Sequence, residues 1–197
     1  MSKTTIPTGG IADDAINLTS KVTGTLPVAN GGTALTSGFV NGYTGMADQW
    51  SLTTSFTDSA EPIASNWEQN DEASFDPLGS SMTQSSGIFT FPSTGFYLVT
   101  FNAGTEANNL TADMFDAVIQ VTINNSDYDS GSIGQMSQTN ISSGHGQSTS
   151  ISQVVDVTNT TNVKVRFQIS NASSNVYTQG STSVRKTFAT FLRLGDT

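Results

Sequence analysis

The chain has 197 residues and a mass of 20.7 kDa, room for one compact domain and a short appendage. Seven basic residues face sixteen acidic ones, for a net charge of -9 and a pI near 4.2, yet charged residues are only 12% of the chain. Polarity is carried instead by 27 Ser, 29 Thr, 15 Asn and 18 Gly. The absence of cysteine excludes disulfides, thiol nucleophiles and thiolate zinc sites. A single histidine excludes a His-rich metal cage within one chain. Thirteen Asp and Glu, and no Lys or Arg, lie between Lys21 and Lys164, a surface that repels a nucleic-acid backbone. No apolar run approaches the roughly 20 residues of a membrane span, and MSKTTIPTGG lacks the apolar core of a signal peptide. Neither membrane insertion nor nucleic-acid binding is expected.

In chain order, residues 1–45 form a Gly-punctuated segment of their own. Ile11, Ala12, Ala15, Ile16 and Leu18 suffice for about two helical turns, too short to hold alone in water. The remainder is either a disordered tail or a segment that orders against another chain. From Asp48 the period changes to two, with strands predicted around Trp50–Phe56, Ile88–Phe91, Gly95–Ala103, Ala117–Asn124, Ser148–Val157, Val163–Ile169 and Phe188–Leu194. Leu110–Phe115 is the best candidate for a helical turn. Eleven Phe, four Tyr and two Trp supply a core. Short β-branched strands without helices between them predict an all-β antiparallel sandwich over residues 46–197.

Phe89, Gly95, Tyr97 and Phe101 resemble the signature of the C1q/TNF-like jelly roll, with Val99 where that signature has Phe. Phe188–Leu192 resembles its closing strand, and the resemblance covers about residues 50–197. It implies a homotrimer whose axis is lined by one sheet face. The strand at Gly95–Ala103 is apolar on both faces, so both need cover. Phe96, Leu98 and Ile151 are the expected trimer contacts. Upstream, Val22–Thr33 (VTGTLPVANGGT) is similar to a motif recurrent in bacteriophage tail-fibre and related virion proteins. That resemblance implies a shaft or attachment role for residues 1–45, with Ile11, Ile16, Leu18, Leu26, Pro27 and Val28 as its virion-binding residues.

Asp127 and Asp129, in a polar run after the strand at 117–124, are candidate ligands for calcium. The Gly and Glu of an EF-hand loop are replaced by Ser130 and Met136, so a hairpin turn with solvated acids is the plainer alternative. Apart from this calcium, no cofactor is expected. Asp113 and Asp116, with Glu106, are the candidate acid–base pairing, and His145 sits in a Gly/Ser loop without a nucleophile elbow. No enzymatic activity is expected. Trp67, Tyr128, His145 and Tyr177 are the candidate receptor-contact residues of the loops; for Trp67, in the acidic run Glu61–Asp76, the favoured alternative is an indole that pins a surface loop to the core. Together these features point to a short trimeric virion fibre that binds other virion proteins through its N-terminus. Its head then adheres to a host-surface glycan or protein. The alternative is a capsid decoration protein with a structural role alone.

Overall fold

The computed structural model describes residues 45–71 and 75–197. Ile11, Ile16, Leu18, Leu26, Pro27 and Val28 lie outside the described residues. Among those described, twelve strands follow in order: β1 (Ala47–Leu52), β2 (Phe56–Thr57), β3 (Trp67–Gln69), β4 (Thr83–Ser85), β5 (Ile88–Thr90), β6 (Gly95–Ala107), β7 (Leu110–Thr122), β8 (Asp129–Ile141), β9 (His145–Val157), β10 (Lys164–Ser170), β11 (Val176–Thr178) and β12 (Phe188–Gly195). The larger, seven-stranded sheet runs β2-β11-β6-β12-β1-β3, with β9 on the free edge of β6; the smaller runs β4-β5-β10-β7-β8. All pairings are antiparallel, and the two sheets enclose one apolar core.

Alternation along β6 shows why the sandwich closes. Tyr97, Val99, Phe101, Ala103, Thr105 and Ala107 point inward and are buried; Phe96, Leu98, Thr100, Asn102 and Glu106 point outward and are at least partly exposed. Phe101 stacks on Phe167 of β10 with centroids 4.8 Å apart, joining the two sheets. Phe89 of β5 and Phe191 of β12 extend this contact, 5.3 Å apart.

Trp67 belongs to the same cluster, which corrects its assignment as a receptor contact. Its ring lies 5.4 Å from Phe89 and 5.7 Å from Phe167, and its Nε1–H donates to the Ile63 carbonyl at 2.8 Å. Pairing of Trp67 with inward-facing Leu52 turns the indole to the core, where burying its area outweighs displaying it. Asp48 is also fully buried, and its carboxylate accepts from the Trp50 indole at 3.0 Å, Gln69 Nε2 at 2.9 Å and the Met82 amide at 2.8 Å. One acid thereby ties β1 to β3 and to the segment before β4.

Two further expectations change. Leu110–Phe115 is strand, not helix, because β7 extends to meet β8, with Leu110 opposite Ile141 and Phe115 opposite Met136. Ile151 lies opposite Phe101 and packs against the core, so it cannot share a face with Phe96 and Leu98. Val154, opposite Leu98, takes that place.

Gly95, expected to allow a turn before its strand, has φ 141°. A Cβ there would fall 2.5 Å from the Gly195 carbonyl and 2.6 Å from Arg193 Nε. The Arg193 guanidinium donates to the Thr94 carbonyl at 2.8 and 3.1 Å and pairs with Asp196, pinning the end of β12 to this turn. Gly95→Ala is therefore expected to cost about 2–3 kcal/mol, through strain and close contact. Thermal unfolding checks this, and an unchanged Tm would contradict it.

Candidate functional site

The outward face of the larger sheet carries a chemical gradient along β6. At one end, Leu98 stands between Leu192 and Val154, with Phe96 beside them. Phe96, Val154 and the nearby Leu194 are 39%, 55% and 49% exposed, although all three are large and apolar. In the middle, Thr100 stands between Thr190 and Ser152. At the far end, Glu106 stands between Tyr177 and Gly146. Ten residues of extended strand separate Phe96 from Glu106, about 34 Å. The chain enters the sandwich at the apolar end, since Ala47 is opposite Leu192.

A groove of about 380 Å³ occupies the polar end, lined by Asn102, Gly104, Gly146, Ser148, Gln179, Arg185 and Lys186 among others. The segment 179–187 forms its wall. Its ends are tied to β6: the Gln179 amide donates to the Gly104 carbonyl at 2.8 Å, and the Thr187 hydroxyl donates to that carbonyl at 3.2 Å and accepts from the Gly104 amide at 3.1 Å. Gly104 is needed for this approach, because a Cβ there would lie 2.6 Å from the Lys186 carbonyl. Glu106 Oε2 accepts from Gln179 Nε2 at 2.6 Å.

Of the expected receptor-contact residues, His145 and Tyr177 come together at this end. His145 begins β9 opposite Ala107, and Val176, the neighbour of Tyr177, is opposite the same residue. Tyr128 does not join them. It lies at the other end of the sandwich, after β7, with its ring 4.1 Å from the Arg166 guanidinium. Its hydroxyl is buried without a hydrogen-bond partner. Arg166 pairs in turn with Glu61 at 3.0 Å and donates to Gln120 at 2.7 Å. Burial raises the Tyr128 pKa above that of a free phenol, and the nearby Arg166 charge only partly opposes it. Tyr128 is thus committed to Arg166 and not displayed.

Asp127 and Asp129 sit where β7 turns into β8. Asn124 organises that turn: its Oδ1 accepts from the amides of Ser126 and Asp127, while its Nδ2 donates to Asp127 at 2.7 Å. Among the described residues no group of three His, Cys, Asp or Glu stands ready to hold a metal ion. The candidate acid–base carboxylates are engaged in structural hydrogen bonds or lie on different sheets. Asp113 and Asp116 have opposite parity on β7 and accept from Ser173 and from Ser170 and Asn171, while Glu106 belongs to the other sheet.

Sequence inspection missed Val154 and Leu192 at the apolar end and Gly146 and Gln179 in the groove. A signal for Val154 was present: Ile151, Val155 and Val157 share one parity and Val154 the other. Nothing in the sequence brings Gln179 to Gly104.

No family model matches the chain, and no curated protein matches it. Among solved structures, murine APRIL at pH 5.0 matches with a TM-score of 0.53 and 14% identity, over 77% of this chain and all of its own. Eiger TNF from S. frugiperda matches with a TM-score of 0.53 and 15% identity, over 78% of this chain and 94% of its own. At such identity the likeness is one of fold: an all-β, TNF-like jelly roll.

The Tyr128 phenol yields a pH prediction. In the unfolded chain it ionises from about pH 10, whereas in the folded chain it resists. Its stabilising share is present below that pH and is lost as pH rises through the folded value. Tyr128→Phe is expected to be near neutral at pH 7 and to lose less stability than wild type between neutral and strongly alkaline pH. Urea midpoints at both pH values check it; equal alkaline losses would refute it.

Proposed function

We propose that this chain is a non-enzymatic bacteriophage virion protein, a short homotrimeric fibre. Residues 1–45 attach it to the particle, and the far end of its head adheres to a host-surface glycan. The observation that carries this is the polarity gradient on the larger sheet. Its apolar end, with Leu98, Val154 and Leu192, lies where the chain enters, and its polar groove lies at the opposite end. A fibre head needs that division, with assembly beside its stem and recognition away from it.

A second feature supports self-association. β8 and β9 are each 13 residues long, and each pairs on one edge alone among the described residues. Neither carries Lys, Arg or Pro, the usual protection of an open edge. Both free edges and the apolar outer face find cover if each subunit presents its edge to the face of the next. The C1q/TNF-like signature implies the same trimer. Three heads then convert weak sugar contacts into avidity.

Two measurements test this. Labelled full-length protein is expected to bind host cells saturably, with loss of binding after periodate oxidation of surface sugars. Absence of cell binding, together with labelling of the capsid by immunoelectron microscopy, would favour decoration instead. The double variant Leu98→Asp, Val154→Asp is expected to retain its strand content but dissociate. Its apparent affinity for cells should fall by about 100-fold or more as avidity is lost. A double variant that keeps its mass and binding would remove the apolar end from the interface.

A further inference from the structure

We infer that the groove between β6, β9 and the 179–187 segment takes an acidic sugar, one that carries a carboxylate or sulfate group, and that Lys186 and Arg185 bind that group. This deepens the adhesion proposed above and rests on it.

The key observation is how the chain distributes its positive charge. Acids outnumber bases sixteen to seven. The described bases are Lys164, Arg166, Arg185, Lys186 and Arg193. Arg166 and Arg193 are held in ion pairs with Glu61 and Asp196. Lys164 is on β10 in the smaller sheet, between Thr90 and Thr122. The other two are neighbours in sequence and line one groove, whose lining contains no acid. Lys186 is exposed, and no described acid pairs with its ammonium. Arg185 also lines an adjoining cavity of about 150 Å³ with Glu68 and Asp71, so Lys186 brings the charge that belongs to the groove alone.

The backbone that carries both cations is fixed by the fold itself. The Ser181 amide donates to the Leu52 carbonyl at 2.8 Å, and the Leu52 amide donates to the Thr187 carbonyl at 2.9 Å. Between these ties, Ser181 Oγ accepts from the Ser183 and Val184 amides at 3.2 and 3.3 Å. Gly180 packs so closely on Thr54 that a Cβ would fall 2.4 Å from its backbone nitrogen. Asn102 Nδ2 donates to the Lys186 carbonyl at 3.1 Å, which holds that residue over β6. A site ordered in advance loses less freedom on binding.

The rest of the lining suits hydroxyl groups. Asn102 keeps its amide oxygen as an acceptor, and Ser148 adds a hydroxyl. A ligand that uses the cations and these neutral groups together is an anion with hydroxyls, as an acidic sugar is. The volume, about 380 Å³, falls in the range of small-ligand sites. The chain's net charge of -9 opposes an anion at long range. The attraction is therefore local, and added salt weakens it.

The test puts the full-length protein on an array of neutral, carboxylated and sulfated oligosaccharides, beside Lys186→Gln and Lys164→Gln. Each variant removes one positive charge, the first from the groove and the second from the other sheet. Wild type is expected to bind acidic glycans. Lys186→Gln should bind them about tenfold or more weakly, with solution mass and Tm unchanged, and Lys164→Gln should match wild type. A preference between carboxylated and sulfated glycans supports the inference and names the acidic group. If Lys186→Gln binds as tightly as wild type, or both variants lose affinity equally, the groove is not the site, though adhesion stands. Binding confined to neutral glycans overturns the ligand class. Wild type that binds cells but no glycan overturns the sugar site, and wild type that binds neither overturns adhesion itself.

Discussion

Phe101 meets Phe167 ring to ring at 4.8 Å, and the two sheets are joined there. Around this contact Phe89, Phe191 and Trp67 fill the space between the layers, each at ordinary aromatic distance from its neighbours. Fixing Phe101 inward fixes everything else on β6, because side chains alternate strictly along a strand. Tyr97, Val99 and Ala103 must follow it into the core. Phe96, Leu98, Asn102 and Glu106 must face the other way, and antiparallel pairing carries the same choice to β9 and β12.

The outward face is thus a by-product of core packing in its position but not in its composition. Nothing in the core requires Leu98, Val154 and Leu192 to be apolar, and solvent would favour polar groups there. Nor does it require Tyr177 and Gly146 at the other end. The uncovered edges of β8 and β9 add a second demand for cover that the described residues do not meet. Shared cover by identical chains, as proposed above, would satisfy both with one symmetric contact. The likeness to murine APRIL and Eiger TNF concerns fold, and the proposed assembly rests on this chain's own face and edges.

Much of the sandwich was legible because its central strands alternate cleanly. The runs at Gly95–Ala103, Ala117–Asn124 and Val163–Ile169 fall on β6, β7 and β10 apart from Ile123, Asn124 and Val163 at their ends, and the C1q/TNF-like spacing of Phe89, Gly95, Tyr97 and Phe101 named the fold class. β8 was not legible. Its sequence, DSGSIGQMSQTNI, is polar on both parities, since its edge position needs few apolar side chains. Trp67 sat in an acidic stretch that left two readings, a ligand-stacking face or an anchor to the core, and its pairing with Leu52 and its ring contacts select the second. Ile151 failed on parity alone, as one residue of register exchanges the two faces of a strand. His145 and Tyr177 were found singly, but their shared end depends on β6 bridging β9 and β11.

The most direct measurement is the solution mass of the untagged full-length protein by sedimentation equilibrium across a wide concentration range. A mass near three times 20.7 kDa that persists on dilution is the expected result. A clean monomer would contradict the account, leaving the Leu98–Val154–Leu192 face and the edges of β8 and β9 without their cover.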